Sequence, residues 1–271
     1  MDTPTSPLGS YAFATFSDTT RELERLEGQA AMAWNRESKL LNAHRVQQAN
    51  TVLDLACGPG AITRRLAAHV PHAQVTGLDY EPRLLEVAQN ATPLMVGKQP
   101  RFERGDVYAL SPELGSFDFI YARFLFQHLE RPADALAQIR SRLTPGGRIL
   151  VVDVDDRDLR CEPPSQAYTD FVAKVATAQR RGGGNRTIGR ELPALLEAGG
   201  FTNVRADRMQ LDSRTFGLDR FFEITTAFKL EQLSEADRMH QRGVLEKLRE
   251  EMKQTGTHIQ LTVHCVSGES Q

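Results

Sequence analysis

The run Thr51-Val52-Leu53-Asp54-Leu55-Ala56-Cys57-Gly58-Pro59-Gly60 constrains this chain more than any other stretch. Thr51, Val52, Leu53 and Leu55 suit a strand buried on both faces. Asp54 interrupts the apolar run near its end. Cys57-Gly58-Pro59-Gly60 predicts a tight turn, and residues 61–68 read as a helix. Strand, glycine turn and helix in succession build a nucleotide crevice at the edge of an α/β sheet. The glycines admit backbone close to a ligand, with no Cβ between them.

The turn does not suit every nucleotide. A dinucleotide fingerprint needs a third glycine, and Thr63 stands at that position. A phosphate loop needs a Gly-Lys-Ser/Thr ending that this turn lacks. Asp54 repels a diphosphate and attracts a cation, by about 4 kcal/mol for a unit pair at 4 Å near a protein surface. The turn suits a nucleoside without phosphates that carries positive charge.

Val52 to Gly60 resembles the first motif of class I S-adenosylmethionine (SAM)-dependent methyltransferases of the small-molecule type. Further resemblances follow in order: Val75-Thr76-Gly77-Leu78-Asp79, Arg104-Gly105-Asp106-Val107, residues 117–123, and Leu143 to Val151. They cover about residues 50–155, with weaker similarity at 189–201. Many members carry glycine where this chain has Ala56, a departure expected to need only a slight backbone adjustment. The resemblance implies a doubly wound α/β fold. Its seven-stranded sheet is mostly parallel with an antiparallel last strand, flanked by N-terminal helices and a helical lid. The implied cofactor is SAM, with S-adenosylhomocysteine as product.

The resemblance also implies a site map. Asp54 orients the glycine turn or meets the methionine ammonium, and Ala56, Gly58 and Gly60 give backbone contacts. Asp79 accepts the ribose hydroxyls, or else caps the helix that follows. Tyr80 lies against adenine. Asp106 takes the adenine amino group and Val107 offers its amide to a ring nitrogen; an ordinary turn aspartate is the plainer reading. Tyr121 and Arg123 leave the fourth strand toward the methionine end. Arg123 holds a carboxylate there or makes a surface ion pair. His128 is the candidate base, since its unperturbed pKa is near neutrality, or a backbone cap. Tyr11 faces the sulfonium, or with Phe13 and Phe16 pins the arm to the core.

Composition sets the remaining bounds. The chain has 271 residues, a formal charge of −2, and 40% hydrophobic and 25% charged residues. These values are ordinary for a soluble globular protein and leave no electrostatic footprint for nucleic acid. No apolar run reaches a membrane span of about 20 residues. Cys57, Cys161 and Cys265 are too scattered for a disulfide framework or a zinc site, which points to a cytoplasmic protein. No histidine has the spacing of a metal ligand. The expected partner is a small-molecule acceptor, and a homodimer is compatible with the chain.

Four segments are expected. Residues 1–48 form an arm and helices over the cofactor cleft, the arm's first ten residues being disordered, with Thr19 and Glu22 as a capping box and a second helix over 37–48. Residues 49–156 form the SAM-binding core. Residues 157–188 form a lid insertion, hinged at Gly182-Gly183-Gly184. Residues 189–271 complete the sheet with additional helices. Pro145-Gly146-Gly147 is expected to end the helix before the fifth strand. Tyr168, Phe171, Phe216, Phe221, Phe222 and Phe228 line a pocket for a hydrophobic or aromatic acceptor, or fill the core. Two rival readings use the same sheet: an NAD-dependent oxidoreductase and a non-catalytic SAM-binding module.

Overall fold

The computed structural model describes residues 10, 11, 13, 16, 18–91 and 93–271; the expected disorder of the extreme N-terminus lies outside these. Among them, eight strands form one sheet: β1 (Thr51–Leu55), β2 (Gln74–Asp79), β3 (Arg101–Arg104), β4 (Phe117–Arg123), β5 (Leu143–Val154), β6 (Arg160–Glu162), β7 (Thr202–Asp212) and β8 (His258–Glu269). The order is β3-β2-β1-β4-β5-β8, with β6 and β7 both paired to β8. The first five strands are parallel and β8 is antiparallel to its neighbours. This is the expected doubly wound sheet with one strand more, the short β6.

Alternation along the central strands sorts side chains into two cores. Val52, Phe119, Tyr121, Leu150 and Val152 pack on one face. Leu53, Leu55, Ile120, Ala122, Ile149 and Val151 pack on the other. Both sets are buried, as strands between two helical layers require. Asp54 falls on the same face as Val52, so the pleat directs its carboxylate toward the helix that follows the glycine turn.

The helices are α1 (Thr19–Ala43), α2 (Ala61–His69), α3 (Pro82–Gln89), α4 (Pro132–Ser141), α5 (Gln166–Arg181), α6 (Leu192–Ala198), α7 (Ser213–Phe216), α8 (Leu218–Thr225) and α9 (Glu235–Thr255). The two expected N-terminal helices are one. Nothing between Trp34 and Lys39 breaks the turn, and α1 ends only where Arg45 takes a left-handed φ of 65°. The capping box is also corrected. Asp18 is the N-cap, accepting from the Arg21 amide at 2.9 Å, and Glu22 turns inward. Pro145-Gly146-Gly147 lies inside β5 rather than ending α4, which stops at Ser141. There the Gly146 amide donates to the Ser270 carbonyl, and the Ser270 amide to that of Gly147.

The glycine run after α5 is closely packed. A Cβ on Gly184 would come within 2.8 Å of the Gln127 carbonyl, and one on Gly183 within 3.1 Å of Glu130. These glycines let the segment after α5 close on the loop after β4. No helix among the described residues is long and apolar enough to cross a membrane.

Candidate active site

A cleft of about 300 Å³ opens beyond the C-terminal ends of β1, β2 and β4. Open α/β sheets bind ligands at this edge, where the strand order reverses between β1 and β4. Its first wall is the glycine turn. Ala56, Gly58 and Gly60 have φ of 60°, 56° and 74°. Gly58 lines the cleft, and a Cβ there would meet nothing within 4 Å, so backbone faces open space. Gly60 does not line it. A Cβ there would fall 2.8 Å from Phe102 and 3.0 Å from Ala88, so its absence lets α2 seat against β3 and α3. Ala56 pays for its left-handed backbone with about 1–2 kcal/mol of strain, more than the slight adjustment expected.

Asp79 joins the turn to the next loop. Its Oδ2 accepts from the Gly58 amide at 2.7 Å and its Oδ1 from the Glu81 amide at 2.9 Å. It is not the cap of α3, since Glu81 fills that position and accepts from Arg83. Burial pushes the Asp79 carboxyl up, against the pull of its backbone donors. The carboxylate retains lone pairs for a ligand, since each oxygen can accept more than one hydrogen bond. Tyr80, Asp106 and Val107 also line the cleft. Tyr80 is 43% exposed and has the Arg104 guanidinium 5.5 Å from its ring centre. Asp106 accepts from the Tyr108 amide at 2.8 Å.

Asp54 sits at the floor, 2% exposed, and accepts from the Thr63 hydroxyl at 2.6 Å. Burial pushes its carboxyl up to about 7. Water solvates the charged form better than this site does, so an arriving cation would favour ionisation.

Tyr121 departs from its expected place. It is fully buried in the core beside Val52 and Phe119 and does not line the cleft, although Asp54 and Arg123 on the same face of the sheet do. Its hydroxyl has no hydrogen-bond partner among the described residues. Arg123 does reach the cleft, but its guanidinium is engaged. Nε donates to Glu37 Oε1 at 2.7 Å, Nη1 to Gln29 Oε1 at 3.2 Å and Nη2 to the Gln29 carbonyl at 3.3 Å. The ion pair is therefore buried rather than on the surface, and it clamps α1 to β4.

His128 and Tyr11 approach each other across the cleft, with ring centres 5.5 Å apart. His128 Nδ1 meets the Ser10 hydroxyl at 2.9 Å and Gln179 Nε2 at 3.4 Å. Burial, with Arg186 and Arg25 nearby, lowers His128 to about 3, so the ring is neutral at pH 7. A ring that weakly basic is a poor general base. Tyr11 donates to Glu22 Oε1 at 2.9 Å, and burial with the Glu22 charge holds its phenol well above the usual range.

Sequence reasoning missed one stripe of α1. Glu22, Arg25, Gln29 and Glu37 follow helical spacing on the inward face. Glu22 and Arg25 form a buried two-point pair, at 2.7 Å for both contacts, and Arg25 lies 4.1 Å from the Phe228 ring centre. The signal was a row of charged and polar residues at helical spacing on the side that also carries Ala30, Ala33 and Leu41. Also missed was a group from distant segments, in which Arg186 and Lys229 share Asp156. Local patterning gives no sign of it.

Most of the six aromatic residues take the core alternative. Tyr168, Phe171, Phe221 and Phe222 are buried in the core and Phe216 packs against it. Of the six, only Phe228 lines the cleft. Asp155, Asp158 and His264 approach one another closely enough for a metal. Their charges are met instead by arginines: Asp155 pairs with Arg157 and Arg190, and Arg190 also reaches Asp158.

The sheet and the glycine-lined cleft are those of a Rossmann-like methyltransferase fold. Residues 52–147 match a family described as "Methyltransferase domain", and the chain carries a class I SAM-dependent methyltransferase domain. An uncharacterised 37.1 kDa protein in transposon TN4556 of Streptomyces fradiae is 34% identical over 197 residues, covering 68% of this chain and 54% of that protein. The trans-aconitate 2-methyltransferase of Methylobacterium nodulans is 34% identical over 136 residues, covering 47% of this chain and 48% of the other. The chain spans about half the length of these curated relatives. Among solved structures, human N-acetylserotonin methyltransferase with SAM superposes with a TM-score of 0.54 at 21% identity, covering 76% of this chain and 56% of that one. A Haemonchus contortus phosphoethanolamine N-methyltransferase with S-adenosylhomocysteine gives 0.51 at 18% identity, covering 82% and 48%. At these identities the structural likeness speaks for the fold.

Proposed function

We propose that this chain binds SAM in the cleft and transfers its methyl group to a small metabolite. The observation that carries the reading is the Asp79 carboxylate holding the Gly58 amide at 2.7 Å beside open space above Gly58. A ribose whose hydroxyls donate to this carboxylate would lie against backbone that a ligand can touch. Tyr80, Asp106 and Val107 then offer a flat ring, a carboxylate and an amide for adenine. Asp54 supplies negative charge toward the ammonium, with Thr63 fixing its carboxylate.

SAM supplies the reactive carbon, which an acceptor displaces from sulfur in line. The chain's work is alignment and exclusion of water, and alignment alone is worth several kcal/mol. Tyr11 keeps its proton and directs it to Glu22, which leaves the phenol oxygen free to face positive charge. The α1 residues Arg25, Leu26, Gln29 and Ala30 close one side of the cleft. The other walls include Leu125, Leu129, Leu159, Phe124 and Phe228. They favour an acceptor with a hydrophobic body, aromatic or aliphatic, over a nucleic-acid strand.

Calorimetry with purified protein tests the reading. S-adenosylhomocysteine should bind more tightly than NADH. Absence of binding, or preference for NADH, would refute it in favour of the oxidoreductase alternative. Methylation of extract components with labelled SAM then separates an enzyme from a module that only binds the cofactor.

A further inference from the structure

We propose that the acceptor carries an anionic group, a carboxylate, which seats on Lys229 and Arg186 in the wall of the cleft. The inference rests on the methyltransferase reading and names the substrate class of that same site.

Lys229 lies in a 3-10 segment, Ala227–Gln232, just after α8, and Arg186 lies between α5 and α6. Both line the cleft and both are buried, at 3% and 6% exposure. Together they share one carboxylate. Arg186 takes Asp156 in a two-point pair, Nε to Oδ2 at 2.8 Å and Nη2 to Oδ1 at 2.7 Å. Arg186 Nη1 also donates to Gln127 Oε1. Lys229 has only a long contact of 3.5 Å to the Asp156 oxygen that Arg186 Nη2 already uses. An ammonium has three donors, and this one makes no other hydrogen bond or ion pair among the described residues.

The charge count is therefore uneven where water is scarce. Arg186 and Lys229 bring two positive charges against one from Asp156, which these cations hold down at about 2. Asp153 restores the balance only in part. Burial pushes it up to about 7, and its oxygens accept the Gln127 and Val154 amides. Arg25, also on the cleft wall, is already matched by Glu22. Buried charges persist in proteins when they are paired or wait for a partner. A carboxylate entering the cleft supplies the missing charge and accepts from the Lys229 donors. The leucines and aromatic rings nearby hold the rest of an acid with a hydrophobic body. The surplus charge disfavours a cationic amine at the same place.

The test uses the full chain saturated with S-adenosylhomocysteine, whose own binding is measured first. If that ligand fails to bind the wild type, the cofactor reading falls. If it binds, three acid and amide pairs are titrated: cinnamate and cinnamamide, phenylacetate and phenylacetamide, hexanoate and hexanamide. At least one acid should bind about 10- to 100-fold more tightly than its amide, the range for hydrogen bonds to charged groups. Lys229→Met keeps the Asp156–Arg186 pair and removes the surplus charge. It should abolish the preference and leave S-adenosylhomocysteine affinity intact, while Lys229→Arg should retain it. Equal affinity for acid and amide in every pair, failure of all three acids to bind, or an undiminished preference in Lys229→Met would overturn the proposal.

Discussion

The Thr63 hydroxyl, in the first turn of α2, donates to the Asp54 carboxylate at the end of β1 across 2.6 Å. The residue that breaks the dinucleotide fingerprint is thus the one that holds the acid on the cleft floor. Thr63→Val keeps the shape and removes the donor. It should cost about 1–3 kcal/mol of stability, read from urea unfolding, because Asp54 stays buried with one partner fewer.

The raised Asp54 carboxyl makes two pH-dependent statements of opposite sign. Its folded value, about 7, lies above the ordinary aspartate value of about 3.9. The stability gained by burying it protonated is present below about pH 4 and lost as pH rises through about 7. Binding of a cation moves the other way, since only the ionised form attracts it. S-adenosylhomocysteine affinity should rise from about pH 6 to about pH 8, and the slope should vanish in Asp54→Asn. A slope unchanged in that variant would remove Asp54 from the ammonium site.

Asp79→Ala should weaken S-adenosylhomocysteine binding by about 1–3 kcal/mol and also lower the melting temperature. The two effects belong together, because Asp79 anchors the Gly58 and Glu81 amides before any ligand arrives. A stability loss with normal affinity would confine Asp79 to loop support.

His128 titrates near 3 rather than near 6.5. The pH–rate profile should therefore show no His128 limb around neutrality. His128→Ala should change turnover by less than about tenfold, where a working base would cost 100-fold or more. It should still destabilise the fold, since Ser10 and Gln179 lose their shared partner. Steady-state rates beside thermal melts distinguish the outcomes.

Glu37→Ala should destabilise the protein by about 3–5 kcal/mol, because it leaves the Arg123 guanidinium buried without its carboxylate. The double substitution Glu37→Leu with Arg123→Met should recover much of that loss in denaturant unfolding. No recovery would mean that the clamp acts through Gln29.

The strand–turn–helix at 51–69 was legible because its signals are local. An apolar run, left-handed glycines and a helical period are each set by neighbours in the chain. β1 and α2 accordingly fall within a residue of their expected bounds. Edges set by partners elsewhere were not legible. β6 exists because Arg160, Cys161 and Glu162 meet Gln260, Ile259 and His258 from a strand about a hundred residues away. Its three residues carry no pattern of their own. Tyr121 shows the same limit at the scale of one side chain. Its place on a strand could be read, but Asp54 and Arg123 on the same face reach the cleft while core packing covers Tyr121.

The sequence alone determined the parallel core and the crevice at its reversal point, since these follow from backbone freedom and periodicity. Only the tertiary structure decided which charges face the ligand. Arg123 is spent on Glu37, His128 is silenced by burial, and Lys229 is brought to Asp156 from 73 positions away. The physical reason is that an ionisable group takes its chemistry from its dielectric surroundings and its charged neighbours, and packing assembles both from distant parts of the chain.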